Sequence, residues 1–120
     1  MKRSALRFNK SMLNDIKHIV IFITAISENE AQNIANILLE QKKAACVNII
    51  SGVNSKFWWK GKIDSSRETL LFVKTRASMF TKIIELVRTV HSYEIPEIIA
   101  LPIIDGNDDY LKWLDTEVKE

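Results

Sequence analysis

The sequence predicts an α+β fold, a single antiparallel sheet with two helices packed on one of its faces. Two observations predict it. Short apolar runs of strand character alternate with helical stripes in the order β-α-β-β-α-β. The second and third strands follow each other with only a tight turn between them, so they form a long antiparallel hairpin.

His18-Ile-Val-Ile-Phe-Ile-Thr24 is a continuous β-branched and aromatic run, which reads as a first strand buried on both faces. Ser27-Glu28-Asn29-Glu30 follows with capping-box spacing: the Ser27 hydroxyl accepts an orphan amide while Glu30 reaches back. Ala31, Ile34, Ala35, Leu38 and Leu39 then form one apolar stripe of a first helix, and Lys42 and Lys43 suit its C-terminal end. An extended segment runs from Ala44 to about Trp59, interrupted near Ser51-Gly52, and Lys60-Gly61-Lys62 turns it back. Thr69-Leu-Leu-Phe-Val-Lys74 is the returning strand. Phe80, Ile83, Ile84 and Val87 make the stripe of a second helix. Glu97 to Ile103 is the last strand, with Pro96 and Pro102 limiting how far its pairing extends. Asn107-Asp108-Asp109 caps a short C-terminal helix that places Tyr110, Trp113 and Leu114 on one face. The pattern is the split-βαβ, or ferredoxin-like, sandwich. Its long hairpin projects unpaired edge groups, which Lys56, Lys60 and Lys62 blunt near the tip.

With 120 residues, 47% of them hydrophobic, and only three glycines and two prolines, the chain buries the core of one domain, placed at residues 18–120. No apolar run reaches the roughly 18 residues that a membrane-spanning helix needs, so no membrane partner is expected. The formal charge of +2 is unevenly distributed. Lys2, Arg3, Arg7, Lys10 and Lys17 stand against Asp15 alone, so residues 1–17 carry +4 and the remainder −2. A mildly acidic domain does not fit a nucleic-acid footprint. The first 17 residues read as a disordered basic extension, with an organelle-targeting segment as the alternative. The single cysteine, Cys46, forms no intramolecular disulfide, fits a reducing cytoplasmic compartment, and lies in a run that reads as buried strand.

Chemistry concentrates in His91-Ser-Tyr-Glu-Ile-Pro-Glu-Ile-Ile-Ala-Leu-Pro102. His91 lies four residues after Val87, at the end of the second helix, where the dipole favours an imidazolium that Glu94 or Glu97 would reinforce. Two roles fit it: a helix-end histidine bonded to a carboxylate or a neighbouring subunit, or a ligand for Cu(II) or Zn(II) together with Glu94 and Glu97. Phe57, Trp58 and Trp59 alternate between the two faces of their strand, either packing in an interface or walling a pocket with Lys60. Lys74-Thr75-Arg76 reads as a solvated turn or an anion contact, and Asp105, Asp108 and Asp109 as helix capping, since they lack the spacing of a calcium loop.

Together with Ala44-Ala45-Cys46-Val47-Asn48-Ile49-Ile50 and Trp58-Trp59-Lys60-Gly61, the His91–Pro102 stretch resembles the divalent-cation-tolerance proteins of the CutA family, from about His18 to Trp113. The resemblance implies a homotrimer joined through edge strands, no enzymatic activity, a part in divalent metal (copper) tolerance and no required cofactor. It also implies an intersubunit cleft drawing on Trp59, Lys74, Tyr93, Glu97, Tyr110 and Trp113. Some relatives bind copper through a cysteine at the end of the first strand and two adjacent histidines. Here those positions hold Ile23 and Val90, and only His91 remains, so the resemblance implies at most a weak or interface-completed site. The alternative is a regulatory module resembling the trimeric PII-like proteins, with a small molecule or a protein in the cleft. No particular protein client is indicated. An acylphosphatase-like enzyme is excluded because Ala25-Ile26-Ser27-Glu28-Asn29-Glu30 has neither the arginine nor the glycine of a phosphate loop. An RNA-recognition domain does not fit, because the central strands offer only Phe22 and Phe72, embedded in Ile, Val and Leu on a mildly acidic domain.

Overall fold

The computed structural model describes residues 15–120. Of the basic extension expected over residues 1–17, all but Asp15, Ile16 and Lys17 lies outside them. The described elements are β1 (His18–Ala25), α1 (Glu28–Glu40), β2 (Cys46–Trp59), β3 (Lys62–Arg76), a 3-10 turn (Ala77–Met79), α2 (Phe80–Val90), β4 (Ile98–Pro102) and α3 (Asp108–Glu117). The sheet is antiparallel throughout, in the order β2-β3-β1-β4, which is the ferredoxin-like arrangement. None of the described helices is long and apolar enough to cross a membrane.

The period-2 geometry of strands decides which residues share a face. Ile19, Ile21 and Ile23 of β1 and Leu71 and Val73 of β3 pack with Ala31, Ile34 and Leu38 of α1 and Ile83 and Val87 of α2 into one core. The intervening residues, Val20, Phe22, Leu70 and Phe72, form the outer face of the sheet. Phe22 and Phe72 pair across the strands with ring centroids 4.8 Å apart. Among the described residues neither α1 nor α2 lies on that face, and α3 reaches only its His18, Lys74 and Arg76 end through Tyr110 and Asp115; Ile99 and Leu101, opposite Phe22 and Val20 on β4, are 50% and 44% exposed. The expectation that β1 is buried on both faces is therefore corrected, because among the described residues only its helix-facing side is sealed.

Local chemistry sets the element ends. Ser27 Oγ accepts from the Glu30 amide at 3.1 Å, as the capping-box spacing predicts, but Glu30 reaches one residue further back, to the Ile26 amide at 3.2 Å. Lys42 takes a left-handed conformation (φ 59°), and the Lys42 and Lys43 amides bond the Leu39 and Leu38 carbonyls in a Schellman-type end. The two lysines thus close α1 by backbone geometry rather than by charge alone. Leu39, assigned to the apolar stripe, is 37% exposed on its edge. At the far end, Asn107 caps α3 by accepting from the Asp109 amide at 2.9 Å, and Leu114 alone of the predicted face is fully buried.

The hairpin turns on Lys60 (φ 50°) and Gly61 (φ 78°), two consecutive left-handed residues as a two-residue hairpin requires. One extra residue in β2 between Ile50 and Val53 forms a bulge, with Gly52 at φ 76°. That insertion reverses the facing of β2 beyond it. Phe57 and Trp59 pair with Asp64 and Lys62, and so lie on the same side of the sheet as Glu68 and Phe72. Trp58 and its partner Ile63 point the other way and are largely exposed.

A methyl group at position 61 would meet no atom within 4 Å, so substitution there tests the backbone alone. Gly61→Ala is expected to destabilise the fold by about 1 kcal/mol, the strain of a left-handed L-residue, read from the midpoint of chemical denaturation.

Candidate functional site

The segment from His91 to Glu97 joins α2 to β4 without regular structure, and a buried junction holds it. The His91 backbone amide closes α2 on the Val87 carbonyl at 2.9 Å, and its side chain has no solvent exposure. The ring nitrogen Nε2 lies 2.7 Å from the Thr24 carbonyl oxygen, to which it donates, and Nδ1 accepts from the Tyr93 amide at 3.0 Å. A ring that donates from one nitrogen and accepts at the other is the neutral imidazole. Glu30 completes the junction: one oxygen lies 3.7 Å from His91 Nδ1 and the other accepts from the Ser92 amide at 3.0 Å. Burial pushes the Glu30 carboxyl up, but the hydrogen bonds from Ser92 and from the Ile26 amide outweigh burial and hold it below the ordinary glutamate value.

This geometry corrects two expectations about His91. The carboxylate beside it is Glu30, not Glu94 or Glu97, and neither ring nitrogen is left to reach a metal. The dipole argument for an imidazolium fails because the Tyr93 amide needs the Nδ1 lone pair. Among the described residues no three histidine, cysteine, aspartate or glutamate side chains converge as a metal-holding group. Glu94 and Glu97 are exposed and line a cavity instead.

That cavity, of about 790 Å³, opens on the outer face between the hairpin and the His91–Glu97 segment. Thr24, Phe57, Trp59, Asp64, Glu68 and Tyr93 line it. Glu68 is only 8% exposed, and its Oε2 accepts from the Tyr93 hydroxyl at 2.7 Å. Burial, then the hydrogen bond and charge of Glu68, push the Tyr93 phenol up to about 12, so it remains a donor at physiological pH. The sequence pattern does not reveal Glu68, because apolar strand character begins only at Leu70-Leu71. The polar Ser65-Ser66-Arg67-Glu68 run hides the outer half of β3.

Trp59, Tyr93 and Glu97 are thus brought together, whereas Lys74, Tyr110 and Trp113 form a second group. Lys74 Nζ sits 6.0 Å from the centroid of the Tyr110 ring, whose centroid is 5.4 Å from that of Trp113. Lys74 and Glu68 lie six positions apart on β3, about 20 Å along a strand. Arg76 does not offer an anion site: it pairs with Glu120 at 3.4 Å and approaches Asp115, which also takes His18 Nε2 at 2.8 Å. Cys46, expected in the core, starts the edge strand on its outer side and is only partly buried, 3.7 Å from Asn48 Oδ1.

Residues 19–117 match the family model described as CutA1 divalent ion tolerance protein. The chain is 47% identical over 95 residues to the divalent-cation tolerance protein CutA of Thermus thermophilus, covering 79% of this chain and 92% of that one. It is 39% identical over 111 residues to the chloroplastic protein CutA 1 of Oryza sativa, covering 92% of this chain but 63% of the rice protein, less than two thirds of its length. The solved structure of the periplasmic divalent cation tolerance protein CutA from Archaeoglobus fulgidus superposes with a TM-score of 0.83 at 46% identity, covering 85% of this chain and 99% of that one.

Two outcomes test the site. Tyr93→Phe removes the donor to a buried carboxylate and is expected to cost about 1–3 kcal/mol, read by denaturant unfolding. Because the folded-state pKa of Glu30 lies below its unfolded value, the stability it contributes is present above the ordinary glutamate pKa and is lost as pH falls through the folded value. Glu30→Gln is therefore expected to flatten the acid limb of a plot of melting temperature against pH, while lowering the melting temperature near neutrality.

Proposed function

The chain belongs to the CutA family of divalent ion tolerance proteins, and from that premise we propose that it works in metal-ion tolerance as a non-enzymatic, self-associating module in the cytoplasm. The observation that carries the reading is the outer face of the sheet, which the described helices leave largely uncovered. Val20, Phe22, Leu70 and Phe72 are only part-buried, and Ile99 and Leu101 extend the patch to the β4 edge. A contiguous apolar surface of this kind marks an interaction site, and an edge strand as long as β2 calls for pairing or cover. Three copies of the chain supply both, with the outer faces turned inward.

In such a trimer, the cavity bounded by Trp59, Tyr93 and Glu97 of one copy meets Lys74, Tyr110 and Trp113 of a neighbour, making one composite cleft. The roughly 20 Å between the two groups within a chain supports a cleft shared between copies. The cleft favours a second reading, a PII-like module that responds to a bound small molecule or protein, and the two readings are compatible. A divalent cation, Cu(II) included, meets the exposed carboxylates Glu94 and Glu97 and is held weakly, because carboxylate oxygens alone are poor copper ligands.

Phe22→Asp places a charge where a second copy packs. The wild type is expected to elute at trimer mass in size-exclusion chromatography with light scattering, and the variant at a smaller mass; equal masses would contradict the interface. Cu(II) uptake measured by calorimetry is expected to be weak, to fall in a Glu94→Gln, Glu97→Gln double variant, and to persist in His91→Asn.

A further inference from the structure

The chemistry of the cavity lining selects its ligand. Asp64, Glu68, Glu94 and Glu97 stand against a single lysine, Lys56, so the lining is net negative. Adding Lys74 from a neighbouring copy leaves carboxylates in the majority. Glu68 is more than nine-tenths buried, yet its one hydrogen-bonding partner among the described residues is the neutral Tyr93 hydroxyl, and no cation among them pairs with it. No fully buried side-chain oxygen among the described residues lacks a partner, so the Glu68 oxygen that Tyr93 does not bond opens into the cavity, where a cation can pair with it. Phe57 and Trp59 line the same cavity further along the hairpin, opposite Asp64 and Lys62, and the Trp59 ring already attracts an ammonium group, with Lys60 Nζ 5.9 Å from its centroid.

The alternatives fit less well. An anion would face four carboxylates. A neutral apolar molecule would leave Glu68 desolvated and without a counter-charge. A bare metal ion would find no three converging donors, in a space of about 790 Å³ that suits an organic molecule.

We infer that this cavity binds an organic cation, an ammonium or guanidinium group on an apolar frame, with Glu68 as its counter-ion and Trp59 and Phe57 against its hydrocarbon. The inference rests on the reading of the cavity as a ligand cleft. Tyr93 orients the Glu68 carboxylate from one side, leaving the other oxygen for the ligand.

The test is calorimetry on the full chain at neutral pH and low salt with three probes of one shape: 2-phenylethylammonium, 2-phenylethanol and 3-phenylpropionate. The ammonium is expected to bind at least about tenfold more tightly than the other two, the scale of one charge-assisted hydrogen bond. Glu68→Gln removes that preference, and Glu85→Gln, an exposed carboxylate on α2, leaves it intact. If Glu68→Gln lowers the melting temperature, Trp59→Leu serves as a second variant, weakening all three probes while keeping their order. Equal binding of the three probes, or a preference that survives Glu68→Gln, would overturn the cation assignment. If the probes bind with a change in Trp59 fluorescence but without charge preference, the cleft reading stands and the cation assignment fails. If none binds at millimolar concentration, both fail.

Discussion

A four-stranded sheet with helices on one face has two apolar surfaces and seals only one of them. Everything distinctive here follows from that imbalance. Ile21 and Val73 have no exposure because α1 and α2 lie on them, while Phe22 and Phe72, one residue away, pair with each other and are only part-buried among the described residues. Removing apolar surface from water is worth about 25 cal/mol per Å², so an uncovered face of this composition is a strong drive toward association. The same face carries the cavity. The residues that would meet a neighbouring copy and those that would meet a ligand are therefore continuous along β3, from Lys74 through Phe72 and Leu70 to Glu68.

Two devices shape that surface. The bulge between Ile50 and Val53 shifts β2 by one residue, and since strand side chains alternate, it moves every residue beyond it to the opposite face. Without it, Phe57 and Trp59 would point away from Glu68. The second device is the junction of Thr24, Glu30, His91 and Ser92, which ties the end of α2 to β1 and to the start of α1. It places Tyr93 over Glu68 by spending the hydrogen-bonding capacity of a histidine. A residue whose type suggests metal chemistry is here a fastener, and the carboxylates near it in sequence serve the cavity wall.

Much of this was legible in the sequence. The order of elements, the hairpin turn at Lys60-Gly61, the interruption at Ser51-Gly52 and the Asn107 cap are local signals, and local geometry obeys them. Trp59, Tyr93 and Glu97 were also identified together, on the strength of family resemblance. What local signals do not contain is which charged group lies beside which. Glu30 is 61 residues from His91, and nothing in its capping-box role points there. Glu68 sits in a polar stretch of strand that pattern alone assigns to a loop. The apolar run of β1 shows that both its faces are to be covered, and does not show whether the same chain covers them.

The most direct test of the central claim is hydroxyl-radical footprinting of the native chain, with oxidation quantified by mass spectrometry at Phe22, Phe72 and Leu101. If copies of the chain cover the outer face, these residues are protected many-fold relative to the urea-unfolded chain, and protection falls as dilution dissociates the assembly. If they oxidise in the native protein nearly as fast as in the unfolded chain at every concentration, the face is bare and the account is wrong.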